Sequence, residues 1–210
     1  MNKNSFITNP YKGLFIAFEG LDGSGLSTQA DLLNKYLNKQ GYKSFATKEP
    51  TNNIIGGLIR GLLTHIWKAS NECSQLLFTA DRALHLEKEI IPALKKKNII
   101  ITDRYFFSTV AFGSLNIRDL DWLVSLNQHF ILPDIIFLIK VPPKECVKRI
   151  KSSRFSKELF EEEIKLKKIW RTYNKLAKIF PNIYVIDGNR DKKEVFKDVF
   201  DIVVKKLKKK

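Results

Sequence analysis

At 210 residues, 44% hydrophobic and 28% charged, the chain has the make-up of one globular domain with a full core. No run approaches the roughly 18 apolar residues of a membrane span, and two cysteines, Cys73 and Cys146, in no CxxC or Cys/His cluster, exclude a disulfide framework and a zinc site and fit a reduced, cytoplasmic setting. The net charge of +15 is lopsided: residues 1–140 carry 16 Lys+Arg against 12 Asp+Glu and residues 141–210 carry 21 against 10, a basic excess that suits polyanions such as nucleotides or nucleic acid.

In chain order, "GLFIAFEG" (13–20) is a short apolar run closed by glycine, the pattern of a buried parallel strand. From Ser27, "STQADLLNKYLNKQG" sets Ala30, Leu33 and Leu37 at helical spacing and stops at Gly41. A second strand follows at 42–47. "IIGGLIRGLL" and "SQLLFTADRALHLEKEIIPALKKK" read as helices, the latter ending in lysines. Further strands are predicted at 98–102, 134–141 and 182–188. Residues 143–180 read as two helices split near Ser152–Lys157, and 191–207 as a closing helix. Strands alternate with helices throughout, with no Gly/Ser linker or repeat. That predicts a single α/β domain over residues 1–210, a doubly wound parallel sheet with helices on both faces. Its ligand belongs at the carboxyl ends of the strands, where Glu19–Thr28, Lys48–Pro50 and Asp103–Tyr105 gather.

The stretch "FEGLDGSGLSTQ" (18–29) fits the phosphate-loop pattern G-x-x-x-x-G-K-[ST] at Gly20, Gly25 and Ser27. Glycines let the backbone turn tightly and aim its N–H groups at phosphate oxygens, and the following helix adds its positive end. Ser27 would give an oxygen to Mg²⁺. Leu26 stands where the pattern has lysine, so the charge that bridges the β- and γ-phosphates is missing. Losing one such donor predicts a slower catalyst, by about 10²–10³, with backbone amides still able to bind. Leucine here also reads simply as core packing.

"FIAFEGLDGSGLSTQADLL", "TKEP" (47–50), "LLFTADRALH" (76–85), "IITDRYFFSTVAF" (100–112) and "PDIIFLIKVPPKECVKRI" (133–150) together resemble thymidylate kinases in order and spacing. The resemblance implies a five-stranded P-loop kinase fold with a short lid at about 150–160, homodimers, and transfer of the γ-phosphoryl of ATP, with Mg²⁺, to dTMP. It implies that Gly20, Leu21, Asp22, Gly23 and Ser24, then Gly25, Leu26, Ser27 and Thr28, surround the ATP phosphates. Phe78 would stack on thymine and Arg82, one turn later, hydrogen-bond its edge. Asp22 would lie near the acceptor's sugar and phosphate. Asp103 and Arg104 would act at the third strand's end, Asp103 with Ser27 at the metal and Arg104 gripping phosphate. Arg149 and Arg154 of the lid would clamp the transferred phosphate, with Lys151 and Lys157 nearby.

Three features depart from that pattern. Leu26 replaces the loop lysine, Lys48 stands where an arginine precedes "EP" and so loses the bidentate fork, and "TNNIIGG" (51–57) lacks an acceptor-phosphate arginine, with Arg60 one helical stretch away. His65, His85 and His129 are isolated in sequence and read as surface or packing histidines. Other readings are a kinase-like protein that binds nucleotide without efficient transfer, a kinase of another deoxynucleoside monophosphate such as dUMP, and nucleic-acid binding through the basic half. The last ranks lowest, because no aromatic-interleaved motif accompanies the lysines.

Overall fold

The computed structural model describes residues 6–150 and 156–208, the side chains of 156–161 excepted; Arg154, with residues 151–155 of the expected lid, lies outside the described residues. In chain order the elements are β1 (Ile7–Thr8), β2 (Leu14–Gly20), α1 (Leu26–Lys39), β3 (Ser44–Lys48), α2 (Ile54–Leu63) and α3 (Asn71–His85). A π-helical turn (Leu86–Ile90), α4 (Ile91–Lys95), β4 (Ile99–Asp103), α5 (Phe106–Gly113) and α6 (Leu120–Ser125) follow. The chain ends with β5 (Ile131–Leu132), β6 (Ile135–Lys140), α7 (Pro143–Ile150), α8 (Ser156–Ile179), β7 (Ile183–Asp187) and α9 (Lys192–Leu207).

Five strands form one parallel sheet in the order β3-β4-β2-β6-β7. All seven residues of β2 are buried, as expected of a strand with neighbours on both sides and helices over both faces. Helices α1 and α9 pack together against the sheet, while α3, α5 and α8 form a second helical group. The register sets Phe18 of β2 opposite Asp103 of β4, and Asp103 opposite Lys48 of β3. The ends of β2, β4 and β3 therefore lie side by side. Strand order reverses at β2, which puts the loop after it at the crevice where open α/β sheets bind ligands.

The sequence pattern is right about the five main strands and about two helices, α7 and α8, following β6, while most of the expected split at Ser152–Lys157 lies outside the described residues. It differs from the structure in two ways. The helix read as continuous over 74–97 begins at Asn71, capped by the Ser70 side chain, and is interrupted by the π turn before α4. Pro92 sits at the start of α4, where its missing N–H and its ring are tolerated. Helices α5 and α6 and the short parallel pair β1–β5 lie in stretches to which no element was assigned. Helix α5 is buried on nearly every side, so it carries no amphipathic stripe to read. Its Phe106 and Phe107 pack with Phe6 and Phe180, ring centroids 3.9–6.0 Å apart.

Candidate active site at the carboxyl ends of the strands

Between β2 and α1 the chain makes one tight turn, with Ser24 N–H donating to the Leu21 carbonyl at 3.1 Å. Gly23 has φ 79°, and a Cβ there would stand 2.7 Å from the Cys146 carbonyl of α7. Gly25 has φ 92° with open space around it, so its backbone angle alone requires glycine. Gly25 is also the N-cap of α1, and among the described residues no side chain caps the helix, whose first turn carries no acidic residue. The leading amides of a 14-residue helix are thus left for an anion. They border a cavity of about 340 Å³ lined by the loop together with Asp103 and Arg104. The Ser27 hydroxyl donates to Asp103 Oδ2. Leu26 is 5% exposed and leans on the core, its Cδ2 3.3 Å from where a Cβ on Gly20 would stand. The packing role is therefore real, and the loop contributes no cation of its own.

Arg104 follows β4 with φ 74°, the left-handed region that a residue with a side chain seldom adopts. Two hydrogen bonds hold it there: its N–H donates to the Phe18 carbonyl at 2.9 Å, and its own carbonyl accepts from Thr102 Oγ1 at 2.8 Å. Such backbone strain recurs at functional sites. The guanidinium reaches back over the loop. Its Nη1 donates to the Gly20 carbonyl at 3.0 Å and to Ser108 Oγ at 2.9 Å, and its Nη2 donates to Asp22 Oδ1 at 2.6 Å. The ring of Phe112 lies 5.2 Å below it. Burial works against its charge, yet Tyr173, Asp22, Glu19 and Asp103 outweigh that and raise its pKa further.

Beneath Arg104, Glu19 is buried at the end of β2. It accepts from the Tyr105 N–H at 2.9 Å and from Ser108 Oγ, with Tyr173 Oη 3.2 Å away. Burial pushes its carboxyl up from 4.5 to about 7, against the opposing pull of Ser108, Arg104 and the Tyr105 amide.

A second cavity of about 370 Å³ shares Asp22 and Arg104 with the loop and is walled by Phe78, Arg82, Tyr105 and Phe112. Phe78 is half-buried, and both it and Arg82 border this space, as their i, i+4 spacing on α3 allows. Arg82 is 1% exposed. Its Nη2 donates to Glu49 Oε2 at 2.6 Å and to Thr109 Oγ1 at 2.8 Å, its Nη1 donates to Asn127 Oδ1, and its buried Nε has no hydrogen-bond partner among the described residues. His85 is a packing histidine, one of the two kinds expected, but in the fold it is not isolated. It is buried, with Nδ1 3.2 Å from Glu49 Oε1 and Nε2 2.8 Å from Thr47 Oγ1. One carboxylate therefore braces both Arg82 and His85. The reason is spacing: His85 lies three residues beyond Arg82, on the α3 face turned to the "EP" loop.

Other sequence candidates fall around this centre. Lys48 is exposed and borders a further cavity with Ser27, Thr51 and Asp103. Arg149 turns to the loop after β7, its Nη2 3.3 Å from Asn189 Oδ1 and its Nε 3.6 Å from Glu145. Arg60 donates to the Thr51 carbonyl. Sequence reasoning places Glu19 and Glu49 at the strand ends without giving either a role, and it misses Ser108 and Tyr173 as site residues. The signal at Glu19 was a carboxylate ending a run that is otherwise apolar and wholly buried.

A family model described as thymidylate kinase matches residues 18–199. The chain is 38% identical over 204 residues to a protein named probable thymidylate kinase from Thermococcus gammatolerans, covering 93% of this chain and 98% of that one. It is 38% identical over 200 residues to a protein named thymidylate kinase from Thermosipho africanus, covering 92% and 99%. A probable thymidylate kinase of Methanocaldococcus jannaschii is 38% identical over 177 residues, covering 84% and 88%.

Proposed function

The chain belongs to the thymidylate kinase family, and from that premise we propose that it transfers the γ-phosphoryl group of ATP to dTMP, giving dTDP. The observation that carries this reading is the shared boundary of two cavities. One holds the uncapped start of α1, the other holds Phe78, and the Arg104–Asp22 pair borders both. Donor phosphates belong at the amides from Gly20 to Thr28, and the acceptor nucleotide belongs beside Phe78, with Arg82 at the base edge. Arg104 then lies where the two phosphate chains meet, close to Asp22, and its charged fork suits a phosphate oxygen. Phosphoryl transfer asks a protein chiefly for positioning and charge, and both are what these residues supply.

The Ser27 hydroxyl and the Asp103 carboxylate meet beside the loop and are hard oxygen donors, the set that suits Mg²⁺, which takes one or two protein oxygens alongside phosphate and water. When bound, Mg²⁺ would supply positive charge at the β- and γ-phosphates. Arg104, and Lys48 across the register from Asp103, would offset only part of the charge missing at Leu26, to which the family resemblance would add Arg149 and Arg154 of the lid.

The homodimer that the family resemblance implies is supported by an exposed apolar surface on α2, α3 and their connection: Ile54, Leu58, Leu63, Ile66 and Leu76 are each 46–82% exposed. A cytoplasmic setting suits the two free cysteines, and among the described residues no helix is long and apolar enough to cross a membrane.

The test is product analysis with Mg²⁺, ATP and each of dTMP, dUMP, dCMP, dAMP and dGMP. Conversion of dTMP to dTDP ahead of the others supports the reading, and a folded protein that phosphorylates none of them removes it. Leu26→Lys separates a slowed catalyst from one whose charge is fully supplied elsewhere. A lysine at the first position of α1 can lay its stem on the core and lift its ammonium into the cavity that Leu26 already lines. We expect kcat to rise by about a hundredfold, measured in the same assay.

A further inference from the structure

Glu19 touches neither cavity, yet its hydrogen bonds converge on the residue that borders both. Ser108 has a single proton, and it goes to Glu19 Oε2. Its oxygen is then left to accept from Arg104 Nη1 at 2.9 Å. The second carboxylate oxygen holds the Tyr105 N–H, fixing the turn in which Arg104 keeps its left-handed backbone. Tyr173 Oη of α8 closes the group, 2.8 Å from Ser108 Oγ and 3.2 Å from both Glu19 Oε2 and the Gly20 carbonyl. Arg104 thus stands between two carboxylates of different character. The Asp22 side chain is 57% exposed and screened by water, whereas Glu19 is 1% exposed and acts through one hydroxyl.

We infer that Glu19 is a positioning residue: its ionised carboxylate fixes the Ser108 hydroxyl and the Tyr105 amide, and through them holds the Arg104 guanidinium on the Gly20 carbonyl at the junction of the two cavities. This rests on the kinase reading only where the readout is a rate. If Glu19 is protonated its O–H donates a hydrogen bond to Ser108 Oγ, the hydroxyl chain reverses toward Tyr173 and Gly20, and exposed Asp22 is left, among the described residues, as the only nearby carboxylate counter-charge on that side for Arg104. The charged and titratable groups around this centre are Arg104 after β4, Asp103 at its end, Asp22 in the loop and Tyr173 on α8. With Glu19 raised by burial to about 7, the ionised arrangement is complete above neutrality and is lost as pH falls through that value.

The stability sign runs the other way. A carboxyl whose folded pKa is raised stabilises the fold while protonated, and that contribution fades as pH climbs from 4.5 to about 7. At pH 8 the ionised Glu19 is therefore a cost to folding that a function must justify. Glu19→Gln keeps the shape and removes the charge, so a purely structural residue and a positioning residue part company. We expect Glu19→Gln at pH 8 to melt no lower than wild type, yet to lose about tenfold in kcat/KM for dTMP, the worth of one hydrogen bond to a charged group. The fall in wild-type kcat/KM below pH 7 should be absent in the variant. Wild-type rates together with an unchanged pH profile in Glu19→Gln would overturn the inference. A measurement on the wild type needs neither folding of the variant nor catalysis. In a ¹³C and ¹⁵N NMR titration, one glutamate carboxyl should titrate near 7 and the Arg104 Nε–H signal should move with it. An Arg104 signal indifferent to that titration overturns the inference, whereas an inactive wild type removes only the kinase reading.

Discussion

Arg104→Met should lower kcat/KM for dTMP by about 10²–10³-fold, with the fold intact. Methionine fills the space over Phe112 and, like arginine, carries a side chain on the left-handed backbone at this position, so the local strain is nearly unchanged. What goes is a charged fork with three partners: the Gly20 carbonyl, Ser108 and Asp22. Removing one preorganised donor from a site where phosphate charge moves costs about that factor in rate. Ser108 keeps its bond to Glu19, the Gly20 carbonyl keeps Tyr173 Oη at 3.2 Å, and Asp22 is exposed enough to find water, so none of the three partners is left alone. Steady-state kinetics beside a thermal melt checks this. A loss below threefold would mean that Arg104 does not meet the reacting phosphates.

Arg82→Ala should instead be felt first in stability, by about 3–5 kcal/mol, because it strands a buried carboxylate. Glu49 is 6% exposed and is held by Arg82 on one oxygen and His85 on the other. Asn127, itself fully buried, and Thr109 lose a partner in the same stroke. The Arg82→Ala, Glu49→Gln double variant removes both charges and should recover part of that loss, since residues in one network are not additive. Urea denaturation of the two single variants and the double closes the cycle. Additive losses would show that Arg82 and Glu49 act independently.

How far the sequence discloses this site depends on the kind of residue. The phosphate loop is legible because its glycines, its flanking strand and its following helix are contiguous, and Gly23 and Gly25 adopt the backbone angles that the motif implies. Phe78 and Arg82 are legible as a pair because helical periodicity places them together. His85 obeys the same periodicity but is silent in sequence, since its partner Glu49 is 36 residues away on another element. The Glu19–Ser108–Tyr173 group is harder still. Its members come from β2, α5 and α8, and only the parallel register and the packing of α5 against α8 bring them within bonding distance. Helix α5 hides for a related reason: "FFSTVAFG" is aromatic and β-branched, a composition that suits strands, and tertiary burial overrides the preference. Leu26 reverses the usual lesson. The residue that looks like damage in the motif is well packed in the fold, and the question it raises is one of charge and not of structure.

The most direct measurement is a calorimetric titration of ATP with Mg²⁺ into the wild-type protein, with Leu26→Lys beside it. If main-chain amides at the start of α1 hold the triphosphate unaided by a loop lysine, wild type binds saturably at one site per chain and the lysine variant binds more tightly. A folded wild type that takes up no nucleotide, while Leu26→Lys does, would contradict the account.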